Sequence, residues 1–288
     1  MMTTTRRSNF AATLRTTVLL ASLTGLLVVI GFLIGGAQTA LIFLVLAAAL
    51  NMGAYWFSDR IALAMARAKP VEESEAPRLY EIVRELCTRA DLPMPRLYVI
   101  PQDQPNAFAT GRSPKRSAVA VTRGIMKLLS EDELRGVLAH ELAHVRNRDI
   151  LITSVAATIG GAITYLGYML LWFGGDDDES PIGLIASLAL VILAPIAAMI
   201  IQLAISRQRE YSADATGAEI SGNPESLASA LLRLEEGAKA IPMQVNQASE
   251  PLYIVKPFSG GALASLFSTH PPIEERVRRL RQMRPALG

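Results

Sequence analysis

"LAHELAHVRNRDILITSVAA" (residues 138–157) carries two readings in one stretch. Its first half sets histidines at i and i+4 with a glutamate directly after the first, and its second half opens an apolar run of bilayer-spanning length. On a helix, i and i+4 lie one above the other on a single face, so His140 and His144 present two ring nitrogens to one ion. Glu141 is turned by about 100° from His140, which sets its carboxylate beside that ion rather than on it. H-E-x-x-H is the spacing that zinc hydrolysis uses: two neutral ligands and a displaced carboxylate that serves as general base to the attacking water. A third ligand must come from elsewhere in the chain.

The apolar half of the stretch belongs to a wider pattern. Four segments free of Lys, Arg, Asp and Glu reach spanning length, at 18–34, 40–57, 150–173 and 182–205, against the roughly 20 residues that a bilayer core requires. Buried helices of a soluble protein are the competing reading, but such helices keep a polar stripe and these do not. All 28 Lys and Arg residues fall within 1–17, 58–149 and 206–288, while the connection at 174–181, "GGDDDESP", carries acids alone. The positive-inside rule then puts the three basic stretches, both termini included, in the cytoplasm. A cleaved signal peptide is the alternative for the first segment, after Arg6, Arg7 and Arg15; the second apolar run follows almost at once, as in a transmembrane hairpin. A single cysteine, Cys87, allows no intrachain disulfide and agrees with a reducing compartment.

Four parts follow: a transmembrane hairpin (1–57), a cytoplasmic part ending in the histidine motif (58–149), a second transmembrane hairpin (150–205) and a cytoplasmic helical part (206–288). In the first cytoplasmic part, residues 75–90 read as an amphipathic helix with Leu79, Val83, Leu86, Cys87 and Ala90 on one face. "RLYVI" (96–100), "NAFATG" (106–111) and "SAVAVT" (117–122) read as strands of a small sheet. The motif helix starts at Ser130, whose spacing to Glu133 is that of a capping box. It either continues into the third span or bends near Asn147, and both options stand at this level. After the fourth span "SRQREYSADATGAEI" is helical, Asn223 and Pro224 open another helix, and "PPIEERVRRL" opens a last one. The fold class is mainly α with a small β-sheet, four transmembrane helices and a cytoplasmic HExxH domain.

Topology limits where the third ligand can be. The third span begins just after His144 and the fourth returns to the same surface at residue 205, where "REYSAD" (209–214) stands. Glu210 is the candidate ligand. Asp214, one turn further on the same face, can accept the second ring hydrogen of a ligating histidine and so orient it. Taken without the histidines, the same residues read as a solvated charged turn at the membrane interface.

"HELAH" (140–144) after one pair of spans, "REYSAD" after another and "THPP" (269–272) together resemble the membrane zinc metalloproteases of the M48 family, and the resemblance runs over essentially the whole chain. It implies a zincin-like protease domain with one Zn2+ per chain on His140, His144 and Glu210, and Glu141 as catalytic base. It also implies endoproteolysis of misfolded or damaged membrane proteins in the bacterial inner membrane, as part of quality control under stress. The partners it implies are unfolded polypeptides, the bilayer and other quality-control proteases. In related enzymes an edge strand pairs with the substrate backbone, and Asn106, Ala107, Phe108 and Ala109 fill that place here; a plain connecting strand is the alternative. His270 is a candidate donor to the oxyanion, or else caps its own turn before Pro271. Tyr211 is a poorer donor because it adjoins Glu210 on the wrong flank.

Other classes fit less well. A prenyl-peptide protease of the same family resembles a cage of more spans. A membrane scaffold with a non-catalytic metal site has no use for Glu141. A transporter needs more polar groups within its spans. No nucleic-acid role is expected, since "RVRRLRQMR" (276–284) reads as cytoplasmic surface or lipid-headgroup contact.

Overall fold

The computed structural model describes residues 2–155, 207–240 and 271–283. The fourth apolar segment, most of the third, and His270 lie outside them. Helix α1 (Met2–Met65) is broken at Gly35 and Gly36, where the expected connection between the first two spans falls. Gly36 has φ 69°, a left-handed backbone that lets the chain reverse without Cβ strain. The reversal is confirmed by the amide of Asn51, which donates to Thr24 Oγ1 at 2.8 Å; an unbroken helix would hold these positions about 40 Å apart. Residues Gly35–Met65 form one arm that is long and apolar enough to cross a membrane. Large apolar side chains along it, including Leu41, Ile42, Val45, Leu50 and Trp56, are exposed.

Beyond α1 the chain builds one mixed sheet against a layer of helices. The strands are β1 (Lys69–Pro70), β2 (Arg96–Ile100), β3 (Ala107–Gly111) and β4 (Ser117–Thr122). Their order is β1-β2-β4-β3, with β2 parallel to β4 and β3 antiparallel to it at the edge. Two-residue periodicity sorts the side chains between two faces. Leu97, Ala107, Ala109, Val119 and Val121 face the main core, whereas Ile100, Phe108, Ala118 and Ala120 face Ala62 and Leu63 at the end of α1. The alanines of "SAVAVT" therefore have a purpose: small side chains on that face let the apolar helix seat directly on the sheet. β1 was not expected from sequence, because two residues carry no periodic signal.

The helical layer comprises α2 (Pro77–Ala90), α3 (Arg123–Leu128), α4 (Glu131–Arg146), α5 (Arg207–Ser221), α6 (Pro224–Ala240) and α7 (Ile273–Gln282). α4 lies at its centre, packed by α2, α5, α6 and β3. It starts as the sequence predicts: Ser130 Oγ accepts from the Glu133 amide, and Glu133 returns a bond to the Ser130 amide. Asn223 caps α6 through the Glu225 amide at 3.1 Å. Two glycines set how closely α4 is approached. A Cβ on Gly136 would lie 2.6 Å from the Leu227 backbone nitrogen of α6, and one on Gly217 of α5 would lie 2.9 Å from His140 Cα.

Candidate metal centre

α4 carries His140 and His144 on its buried face, and α5 lies across it with Glu210 in its first turn. The two ring nitrogens face each other, Nε2 to Nε2, at 3.3 Å. Glu210 Oε2 is 3.7 Å from His140 Nε2, and Glu210 Oε1 is 3.6 Å from His144 Nε2. Tetrahedral zinc with ligands at about 2.0–2.1 Å separates its ligand atoms by about 3.3 Å. The three edges of this triangle are within half an ångström of that figure, and these residues form the metal-competent cluster found among the described residues. The residues present therefore fit the ion that the sequence implies.

Each histidine turns its other nitrogen to a carboxylate. His140 Nδ1 lies 3.0 Å from Asp214 Oδ1, close in distance though bent from a straight hydrogen bond. His144 Nδ1 lies 3.4 Å from Asp149 Oδ2. Such contacts place the ring proton on Nδ1 and leave the Nε2 lone pairs for a metal. Asp214 was expected in this role, but Asp149 was not. α4 ends at Arg146, the chain turns through Asn147 and Arg148 with Arg148 at φ 61°, and helix resumes over 150–155. The motif helix is thus broken before the third apolar segment. The break carries Asp149 back beneath His144, and its amide donates to the His144 carbonyl at 2.9 Å.

Arg276 was also missed. It comes from α7, is completely buried, and clasps Asp214 with Nε at 2.9 Å and Nη2 at 2.7 Å. Its Nη2 is also 3.4 Å from His140 Nε2, and its Nη1 is 3.9 Å from Glu210 Oε2. Burial opposes ionisation of Asp214, yet Arg276 outweighs it and, with His140, holds the carboxyl well below the usual range. In sequence the residue was one of several arginines in a basic tail. Only the +3 position from Ile273, which points its stem into the core beside Val277 and Leu280, distinguishes it.

Burial also works against charge on His144, but the bond to Asp149 and the nearness of Glu210 and Glu141 push it up to about 9. This is the electrostatic signature of a pocket that favours a cation. Glu141 sits beside the triangle, buried, and donates nothing to it: its Oε2 instead accepts the Ala109 amide of β3 at 2.7 Å. Burial raises its pKa above the ordinary range, with the two histidines and the Ala109 amide pulling the other way. A carboxylate so tuned is a better proton acceptor than a solvated one. Asn106, Ala107, Phe108 and Ala109 lie where a substrate-pairing strand is expected, at the sheet edge and next to Glu141. The structure gives Ala109 a further task, since its outward amide fixes the glutamate. Tyr211 is covered by Arg279, with the guanidinium 3.8 Å from its ring centre.

With this arrangement in hand, the chain can be compared with known proteins. A sequence profile described as Peptidase family M48 matches residues 73–284. The chain belongs to peptidase family M48. A protein named protease HtpX homolog from Syntrophobacter fumaroxidans is 56% identical over 277 residues, covering 93% of this chain and 98% of that one. A protein of the same name from Persephonella marina is 55% identical over 284 residues, covering 96% and 99%. Among solved structures, the crystal structure of S. mikatae Ste24p aligns with a TM-score of 0.50 at 19% identity, over 95% of this chain and 66% of that chain, a likeness of fold alone. This M48 peptidase is a metalloendopeptidase. Among the described residues, one helix, Gly35–Met65, is long and apolar enough to cross a membrane.

Proposed function

We propose that this M48 peptidase uses one zinc ion on His140, His144 and Glu210 to hydrolyse internal peptide bonds of misfolded or damaged membrane proteins. The observation that carries the reading is the triangle of ligand atoms at 3.3, 3.6 and 3.7 Å with the Glu141 carboxylate beside it. Zinc bound there supplies Lewis acidity, polarising the scissile carbonyl and acidifying the attacking water. The remaining work belongs to side chains. Glu141 takes the proton of the attacking water and returns it to the leaving amine. The Ala109 amide holds one oxygen of Glu141 and so fixes the carboxylate beside the triangle. Asp214 and Asp149 hold the two histidine rings, and Arg276 keeps Asp214 ionised and in place. His270 is retained as the proposed oxyanion donor.

The same proposal places the enzyme in the bacterial inner membrane, with four spans, both termini and the active site on the cytoplasmic side. It rests on the distribution of basic residues and on the hairpin of α1. A role in quality control, alongside other membrane proteases, is part of the same proposal and follows from the family resemblance of the motifs. The decisive experiment replaces Glu141 with Gln in purified full-length protein and measures bound zinc and cleavage of an unfolded polypeptide. Zinc content equal to wild type with cleavage lost by at least 100-fold is expected, since general-base catalysis contributes about 10²–10⁴-fold. Retained cleavage would remove Glu141 from the mechanism.

A further inference from the structure

One end of the sheet meets the aromatic end of the apolar arm of α1. β2 begins and β3 ends at that same end, because β2 is parallel to β4 and β3 antiparallel to it. Arg112, the residue after β3, places its guanidinium 4.0 Å from the ring centre of Trp56. Trp56 lies in the exposed aromatic triplet Tyr55-Trp56-Phe57 that closes the apolar arm of α1. Aromatic residues collect at the membrane–water interface, so Trp56 marks its height. Arg96, which opens β2, pairs with Asp59 at 2.8 Å, one helical turn past Trp56. From the other side, Thr110 Oγ1 meets Ser154 Oγ at 2.6 Å, and the Gly111 amide points at the same oxygen from 3.5 Å. Ser154 is the fifth residue of the apolar segment that begins at Ile150. The exposed bases Lys115 and Arg116 of the turn before β4 lie at this end as well, as suits anionic lipid headgroups. The aromatic end of the apolar arm and the start of a second apolar segment thus meet the sheet at the same place, Gly111–Arg112.

The catalytic carboxylate is bound to the same strand. Ala109, whose amide holds Glu141, is three residues before Arg112, about 10 Å along an extended strand. An extended polypeptide leaving the bilayer covers that height in about three residues. Resting on the peptidase reading of this site, we infer that the fold acts as a ruler, cutting membrane-anchored polypeptides at bonds about three to six residues beyond the end of a bilayer span. The substrate class is then juxtamembrane segments, and distance from the span selects the bond before side-chain preference does. A site raised further from the membrane would spare these bonds and need a longer tether.

The test uses the full-length, zinc-loaded enzyme in proteoliposomes. One substrate carries five tandem copies of a heptapeptide that the enzyme cuts, placed directly after a single transmembrane span. A second carries the same array with no span. Cut positions and rates are read by mass spectrometry, with Glu141→Gln as background. The anchored array should be cut in its first copy at least about 10-fold faster than in its fourth, as the effective concentration of a tethered site falls with tether length, whereas the free array is cut evenly. Even cutting of the anchored array, or sparing of its first copy, would overturn the ruler and leave the peptidase reading intact. No cutting of either array above the Glu141→Gln background would overturn both.

Discussion

Gly217 is the residue through which the helix packing can be tested against the metal site. It lies in α5 where that helix crosses α4, and a Cβ placed on it would stand 2.9 Å from His140 Cα, 3.0 Å from His140 N and 3.2 Å from the carbonyl carbon of Ala139. All three are backbone atoms of α4, so no side chain can swing away. Reaching an ordinary contact of about 3.4 Å or more requires α5 to retreat by about 0.5 Å or to tilt. α5 carries Glu210 and Asp214, and metal–ligand distances tolerate only about ±0.2 Å. Gly217→Ala should therefore move the third ligand, and the partner of His140, out of register with the histidines. Overpacking of this kind costs about 1–3 kcal/mol; taken from metal binding, that weakens zinc affinity about 5- to 150-fold. The assay is competition for zinc against a chromophoric chelator, with thermal melting of the same preparation. Gly136→Ala is the comparison. Its Cβ would strike the Leu227 nitrogen at 2.6 Å and displace α6, which supplies no metal-site group, so it should lower the melting temperature and leave zinc affinity near wild type. Wild-type zinc affinity in Gly217→Ala, or equal losses in both variants, would refute the reasoning.

Other outcomes follow from the same geometry. Asp149→Asn weakens the contact to His144 Nδ1 and should lower zinc affinity about 10- to 100-fold, measured by the same competition, with little change in far-ultraviolet circular dichroism. Arg276→Ala leaves Asp214 buried without its guanidinium and should destabilise the fold by about 3–5 kcal/mol, read from chemical denaturation, while Arg276→Lys recovers part of that loss. Burial pushes the Cys87 thiol up to about 11 from an ordinary 9.0, so the native protein at pH 8 should alkylate about 100-fold more slowly than the unfolded chain. The sign is that of an acid held neutral in the fold: the stability it lends is full below pH 9 and is lost as pH climbs through about 11.

Much of this was legible in the residues alone, for reasons of short range. Helix periodicity puts His140 and His144 on one face whatever the fold, and the Ser130–Glu133 box is a contact between neighbours in sequence. Glu210 and Asp214 could be reached because the reversal expected through the apolar segments 150–173 and 182–205 leaves little choice of surface. The break after Arg146 could not be resolved. No glycine or proline announces it, and Arg148 adopts a left-handed backbone because Asp149 gains a histidine partner in return. A signal for Asp149 existed in its position just before the apolar run, but acids before helices are ordinarily caps.

By itself, then, the sequence determined the ligand types, the displaced base, the helical registers and a hairpin connection within 35–39. These depend on spacing, on apolar length and on charge, all of which are properties of a chain read locally. Only the tertiary structure decided which arginine of the last helix is buried against Asp214, that Gly217 lets α5 touch the backbone of His140, and that the Ala109 amide grips Glu141. It also decided that Thr110 and Arg112 meet Ser154 and Trp56. Each of those facts is a contact between residues far apart in sequence. Such contacts form only when helices and sheet are packed to van der Waals distance, and packing at that range leaves no periodic trace in the chain.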